Sequence, residues 1–445
     1  MAETMTVDVL ILGFGKAGKT IALKRAKAGD RVAIVEASTT MYGGTCINIG
    51  CVPTKRLLVD AHRGVPYPEA RNERDTLIAK LNAANKAMQE SGGVVVIDGT
   101  ARFTGSHTVE VSGGEQQLTI DAEVIVINTG STPVIPDISG ITSARVLDST
   151  TAQQCEERPE SLAIIGAGPI GLEFASMFAA FGSQVTVLNG SAHFLPHVDT
   201  DIAAGVRADL ESRGITIVDG AAVTAIEEVA GGVIVRHSAG EVEAERALVA
   251  VGRRPHTDGL DVEAAGITLT ERGGIRVDEH LRTTVDGVYA AGDVTGGPQF
   301  TYISYDDHRV ILDDRWGSGA RTTTGRIFPT TIFLDPPLSH IGLNESEARS
   351  LAEKEGFDLA VKAADIADMA IVPRPKILRT PQGRATFLVD ASHDRILGAT
   401  LWCTDSQELI NTVALAIREG IPASHLGDGI WTHPSSSEIF NALLG

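Results

Sequence analysis

Apolar, β-branched runs alternate with segments of helical periodicity along most of this chain. Residues 7–12 form one such run, which ends in Gly13-Phe14-Gly15-Lys16-Ala17-Gly18 and leads into a helical segment at 19–28 and a second apolar strand at 31–35. A strand that is apolar throughout is one covered on both faces, as in a parallel sheet. The same pattern returns at 162–165, followed by Gly166-Ala167-Gly168-Pro169-Ile170-Gly171, a helix at 172–181 and a strand at 185–188. Between the copies, 80–90 predicts a polar-faced helix. Residues 94–127 predict short alternating strands broken by Gly-Ser-His and Gly-Gly turns, a β-meander crossing back to the first sheet. Further strands at 124–128 and 287–291 end at Thr129-Gly130 and Gly292-Asp293. From about Phe328 the glycine turns thin out, and strands such as 385–389 mix with helices such as 406–418. The pattern predicts an α/β protein with two Rossmann-like dinucleotide-binding domains and a differently built C-terminal α+β domain.

Strand, glycine turn, helix and strand in that order form a phosphate-binding device. The first glycine makes the turn, the second lets backbone approach a pyrophosphate, and the third lets helix pack on strand. Glu36 stands 23 residues after Gly13, where an acid accepts from a ribose hydroxyl; Asn189 holds the same offset from Gly166, so the second copy lacks the acid. Gly13, Gly15, Gly18 and Glu36 are therefore candidate contacts of one dinucleotide. Gly166, Gly168, Gly171 and Asn189 are those of a second. The strand ends at Thr129, Gly130, Gly292 and Asp293 belong to the same ligand crevice.

Composition narrows the partners. The chain has 445 residues, room for about three domains, and a net charge of −19 with no compact basic run, which disfavours nucleic acid and anionic membrane surfaces. The polar, acidic first residues predict no export signal, and the most apolar stretch, 162–182, is broken by Gly166, Gly168, Pro169 and Gly171; a cytoplasmic protein is expected. Four cysteines are too few for a disulfide framework in such a chain.

Two of them, Cys46 and Cys51, lie in Gly43-Gly44-Thr45-Cys46-Ile47-Asn48-Ile49-Gly50-Cys51-Val52-Pro53-Thr54-Lys55. They are expected to begin a helix beside the first dinucleotide, with Pro53 in its first turn. A thiolate at a helix N-terminus is stabilised by unpaired N–H groups, which favours Cys51 as the thiolate and leaves Cys46 as the exposed attacker. Lys55, four residues on, shares the face of Cys51. A pair of buried small side chains or two zinc ligands are the alternatives; four intervening residues and the lack of a further Cys–His cluster favour a redox pair. Cys155 and Cys403 are expected to be ordinary thiols. Near the end of the chain, Trp431-Thr432-His433-Pro434-Ser435-Ser436-Ser437-Glu438 predicts a short helix opened by Pro434, with Glu438 reaching back to the His433 imidazole. Thiol–disulfide chemistry needs such an oriented base near neutral pH.

Together these residues resemble the class I pyridine nucleotide-disulfide oxidoreductases, whose motifs occur here in order over essentially the whole chain. The resemblance implies an FAD-dependent enzyme taking hydride from NADH or NADPH and passing it through flavin to a Cys46–Cys51 disulfide. It adds Gly44, Thr45 and Gly252 to the cofactor contacts, gives Asp293 the ribityl chain of FAD, and pairs Lys55 with Glu173 at the reactive edge of the flavin. It also places His433, with Glu438, in the active site of the other subunit of a homodimer. By resemblance, 1–147 and 267–325 form the FAD-binding domain, 148–266 the NAD(P)H-binding domain and 326–445 the dimerisation domain.

Within the family, the segments at 13–20, 41–44 and 296–304 are similar to the reactive-chlorine-resistance flavoproteins, which implies reduction of a small oxidant. Hypothiocyanous acid is expected foremost and Cu(II) next, with Cys46 and Cys51 as copper contacts. Mercuric reductases carry a further C-terminal cysteine pair where this sequence has Ala442-Leu443-Leu444-Gly445. Dihydrolipoamide dehydrogenases carry a histidine where Trp431 stands. Pro169 replaces the aromatic gate of many relatives, and Asn189 leaves NADH and NADPH undecided. A dihydrolipoamide dehydrogenase or a mercuric-reductase-like enzyme is the alternative within the family, and a redox or copper sensor is the reading from another class.

Overall fold

The computed structural model describes residues 3–113 and 117–445. A first parallel sheet runs Val95–Asp98, Val32–Glu36, Glu3–Leu12 and Leu118–Ile127, with Val288–Ala290 on the far side of the last strand. Its inner strands are covered on both faces. Leu10, Leu12, Ile125 and Ile127 point into one core, and Val9, Ile11, Val124 and Val126 into another, which explains their unbroken apolar runs. The strand at 288–290 returns to this sheet from about 160 residues away, so the unit is closed only when the chain comes back.

The expected meander is real in its last three strands, Thr100–Phe103, Thr108–Ser112 and the start of Leu118–Ile127, which pair antiparallel. The first strand of that region, Val95–Asp98, instead pairs parallel with Val32–Glu36. Gly114 of the expected Gly-Gly turn lies outside the described residues. The helix predicted at 80–90 is Tyr67–Ser91, because Pro66 and Pro68 fit the start of a helix and only Tyr67, Ala70, Arg74 and Gln89 of its residues are buried. With so sparse an apolar stripe, its first turns carry little periodic signal.

A second parallel sheet runs Ile215–Val218, Gln184–Leu188, Ser161–Ile165, Arg246–Val249 and Val146–Leu147, with a three-stranded antiparallel meander, 223–244, packed beside it. The C-terminal unit is a five-stranded antiparallel sheet covered by Ser406–Glu419 and Ile439–Leu444. The mixed architecture is the one the apolar pattern predicts. No helix among the described residues is long and apolar enough to cross a membrane.

Candidate active site

The carboxyl ends of the first sheet open on a cavity of about 2090 Å³. That is roughly twice the upper range of ordinary small-ligand pockets, and of a size for an extended dinucleotide. Gly13 turns the chain into it at φ +92°, where any side chain would meet the Asn128 carbonyl. A Cβ on Gly18 would lie only 2.5 Å from the Ile11 side chain, so the third glycine does let helix pack on strand. The second glycine has a different reason here: a Cβ on Gly15 would strike the Asn128 side chain, 2.2 Å away. Glu36 ends its strand inside the cavity and accepts from the N–H groups of Phe14 and Ser38 at 3.0 and 3.1 Å. Gly44, at φ +77°, approaches Gly15, and Thr45, Thr129, Gly130, Gly252 and Asp293 complete the lining. Burial raises the Asp293 carboxyl above the usual range, against a 2.7 Å hydrogen bond from Ser131 and the Arg253 charge. Bare backbone at the turn, an acid at the strand end and a second carboxylate deep in the cleft are what an FAD-sized ligand requires, and these residues could hold it.

Asn128 is the site residue that the sequence hides. Its Oδ1 accepts from Gly18 N–H at 2.9 Å and its Nδ2 donates to the Ala291 carbonyl at 2.6 Å, tying the first glycine turn to the Gly292-Asp293 loop. Both partners lie more than 100 residues away, so no local spacing points to it. Asp307 similarly accepts from Gly292 N–H at 2.6 Å, and Arg326 holds Asp307 at 2.7 Å.

The cysteines do not share one helix, as expected from their motif. Cys46 sits in the short helix Thr45–Asn48, and Cys51 opens Cys51–His62. Buried Asn48 ties back to the carbonyls of Tyr42 and Gly44, and the chain breaks at Gly50, where a Cβ would press on the Thr45 carbonyl. The order of exposure is also the reverse of that expected: Cys51 is exposed toward the cavity and Cys46 is half-buried. The sulfurs are unbridged, and each sets the other's protonation. The Cys46 thiol, Thr301 and the Lys55 charge together outweigh burial and pull Cys51 down to about 6, while the neighbouring Cys51 sulfur and burial drive Cys46 up. Thr301, whose Oγ1 lies 3.6 Å from Cys51 Sγ, begins the helix Thr301–Trp316 and comes from 250 residues away. It too was invisible as a site residue.

Lys55 Nζ meets Glu173 Oε2 at 2.5 Å, joining the helix of Cys51 to Pro169–Ala180 of the second unit. Glu173 also accepts from Phe333 N–H at 3.0 Å, and the Lys55 ammonium lies 4.8 Å from the Phe333 ring centre. Cys46, Cys51, Lys55, Glu173 and Phe333 therefore line one cavity, together with Pro169 and Ile170 of the second glycine turn. In that turn Gly166 stands at φ +112°, Gly171 packs against the Gly166 carbonyl, and Gly168 has open space where a Cβ would be, which suits a phosphate approaching the backbone. Asn189 is buried, and its side chain bonds to Ser191 and His193 of its own loop and to Asp219 at the neighbouring strand end.

His433 is exposed, and its Nδ1 lies 2.8 Å from Glu438 Oε1, so the expected reach-back is present. The helix does not open at Pro434: the His433–Pro434 peptide is cis, and the 3₁₀ turn Ser436–Glu438 follows Ser435. Glu438 Oε2 accepts from Ser435 N–H at 2.9 Å, which with the imidazole holds its carboxyl below the usual range. His433 is not among the residues lining the cavity of its own subunit's cysteines.

Comparison with known proteins agrees with this geometry. The pyridine nucleotide-disulphide oxidoreductase model matches residues 7–307, and the dimerisation domain of the same family matches 328–444. The probable pyridine nucleotide-disulfide oxidoreductase RclA of Escherichia coli K12 is 44% identical over 440 residues, 98% of each chain. The dihydrolipoyl dehydrogenase of Geobacillus stearothermophilus is 30% identical over 97% of this chain and 94% of its own. The solved Cu(II) complex of the HOCl-induced flavoprotein disulfide reductase RclA from Escherichia coli superposes with a TM-score of 0.95 at 42% identity, covering 100% of this chain and 99% of that one.

Proposed function

Since the chain belongs to the pyridine nucleotide-disulphide oxidoreductase family and is an FAD-dependent oxidoreductase using NAD(P)H, we propose that its Cys46–Cys51 pair reduces a small oxidant, hypothiocyanous acid foremost and Cu(II) as a related acceptor. The observation that carries this reading is the placement of both sulfurs in one cavity, with Cys51 at the N-terminus of its helix beside Thr301 and the Lys55–Glu173 pair, an arrangement that favours a thiolate at Cys51 and a thiol at Cys46. Bound FAD supplies the two-electron relay between reduced nicotinamide and the disulfide.

In the reduced protein the Cys46 thiol, although less exposed than Cys51, gives its proton to a base, and its sulfur attacks the electrophilic sulfur of hypothiocyanous acid. Hydroxide leaves, taking a proton to become water, and a sulfenyl thiocyanate forms on Cys46. The Cys51 thiolate then attacks Cys46 Sγ and expels thiocyanate, closing the disulfide. With Cu(II), two metal ions each accept one electron as the thiolate–thiol pair closes to the disulfide and the one proton held by Cys46 is released; soft sulfur ligands suit the Cu(I) product. The base is His433 of a second copy, oriented by Glu438, within a homodimer built through the dimerisation domain. Lys55, held by Glu173, keeps a positive charge beside Cys51 and the hydride path. Similarity to the flavoprotein solved with Cu(II) supports the copper arm. The cytoplasm, which supplies reduced nicotinamide, is the proposed compartment.

Oxidation of NADH and NADPH by the purified yellow protein, with hypothiocyanous acid, Cu(II) or lipoamide in separate stopped-flow runs, tests the reading. Fast turnover with hypothiocyanous acid is expected. A preference for lipoamide would move the chain to the dihydrolipoyl dehydrogenases, and no turnover with any of the three would favour a sensor.

A further inference from the structure

The second dinucleotide unit lacks an acid at the end of Gln184–Leu188, but it has one on the next strand. Asp219 directly follows Ile215–Val218, which pairs parallel with Gln184–Leu188, so Asn189 and Asp219 sit side by side at the carboxyl end of the sheet. Backbone bonds stitch the two strand ends together: Asn189 N–H to the Val218 carbonyl at 2.8 Å, Ala221 N–H to the Asn189 carbonyl at 2.8 Å, and Gly220 N–H to the Ser191 carbonyl at 2.9 Å. The Asn189 amide donates to Asp219 Oδ1 at 2.8 Å and to the His193 carbonyl at 3.2 Å, and its Oδ1 accepts from Ser191 N–H at 3.2 Å. A neighbouring guanidinium, that of Arg207 on Thr200–Ser212, is engaged on every side. It donates to Asp219 Oδ2, to Glu211 Oε1 at 2.8 Å and to the Ile217 carbonyl at 3.0 Å.

We propose that Asp219 is the specificity-determining residue for the nicotinamide cofactor, selecting NADH over NADPH in place of the acid that Asn189 does not supply. It acts in two ways. Its carboxylate, fixed by Asn189 directly beside the strand end where the adenosine ribose is recognised in this fold, repels a 2′-phosphate. It also occupies Arg207, the cation that would otherwise pair with that phosphate. Although burial opposes ionisation, the hydrogen bonds from Asn189 and Arg207 hold Asp219 below the usual carboxylate range, so the negative charge is present at neutral pH. The inference rests on reading the turn from Gly166 to Gly171 as the nicotinamide cofactor site, and it is independent of which oxidant the enzyme reduces.

Calorimetric binding of 5′-AMP and 2′,5′-ADP to the FAD-loaded holoenzyme, with anaerobic reduction of its flavin by NADH and by NADPH, provides the test. The wild type is expected to favour the probe without the 2′-phosphate, and NADH, by about tenfold or more, the scale of one charge-assisted hydrogen bond. Asp219→Asn is expected to narrow both ratios by about tenfold, mainly through apparent affinity for the phosphorylated form. Adding Arg207→Gln should reverse that gain. A wild type that binds 2′,5′-ADP as tightly as 5′-AMP would overturn the proposal without any variant. An Asp219→Asn protein that keeps the wild-type ratio would overturn the assignment to this residue. Both readouts precede the oxidant, so a failure with hypothiocyanous acid or Cu(II) leaves them intact; flavin that neither nucleotide reduces would remove the premise instead.

Discussion

Cys51 owes its character to position. As the first residue of Cys51–His62 it lies beside the Cys46 thiol, the Thr301 hydroxyl and the Lys55 ammonium, which outweigh its burial, and its pKa falls to about 6. A depressed acid is charged above its pKa and loses charge as the pH drops through it. Alkylation of Cys51 by iodoacetamide in the reduced enzyme is therefore expected to be fast at neutral pH and to fall off as pH drops through about 6. Thr301→Val, which deletes one hydrogen bond to the thiolate, should move that midpoint upward; an unchanged midpoint would remove Thr301 from the site. Cys46→Ser is expected to abolish oxidant reduction while leaving a flavin that nicotinamide still reduces, as followed by its absorbance. Of these residues, the sequence announces Cys46, Cys51 and Lys55 because their relation is set within ten positions. Thr301 and Asn128 reach the site only through tertiary contacts spanning more than 100 residues, and Asp219 only through the pairing of two strands.

At the scale of the element, the two glycine turns were legible because each is a local unit of strand, turn and helix, with its third glycine forced by packing. The roles of individual glycines were less so, since the neighbour that crowds Gly15 is Asn128, far along the chain. The contrast is measurable. Gly18→Ala places a Cβ 2.5 Å from Ile11 and is expected to cost about 1–3 kcal/mol of stability, seen as a lower Tm and loss of bound FAD. Gly168→Ala meets nothing within 4 Å, so it should leave Tm nearly unchanged while raising KM for the nicotinamide cofactor. An unchanged KM in Gly168→Ala would show that the open space at Gly168 has no bearing on ligand approach. The break between Thr45–Asn48 and Cys51–His62 was not legible because it depends on buried Asn48, whose bonds to Tyr42 and Gly44 appear only once the loop is closed.

Across the whole molecule, the sulfurs and the imidazole of one subunit lie in separate places. Cys46 and Cys51 line the large cavity, and His433 stands exposed on the C-terminal unit. A shared active site in a C2 dimer makes a quantitative prediction. Coexpressed Cys46→Ser and His433→Gln subunits, each inactive as homodimers, should give mixed dimers with one intact site, and random pairing then restores about a quarter of wild-type activity. If His433 served its own subunit, the mixture would stay inactive. Single His433→Gln homodimers are expected to lose about 10²-fold or more in turnover, the usual contribution of a positioned base.

The most direct measurement is the capture of the first covalent product. Reduced Cys51→Ser enzyme, mixed anaerobically with hypothiocyanous acid and digested for peptide mass spectrometry, should carry a thiocyanate-derived sulfenyl adduct on Cys46, since the partner that would displace it is gone. An unmodified Cys46 in that variant, with the oxidant consumed elsewhere or not at all, would contradict the dithiol mechanism.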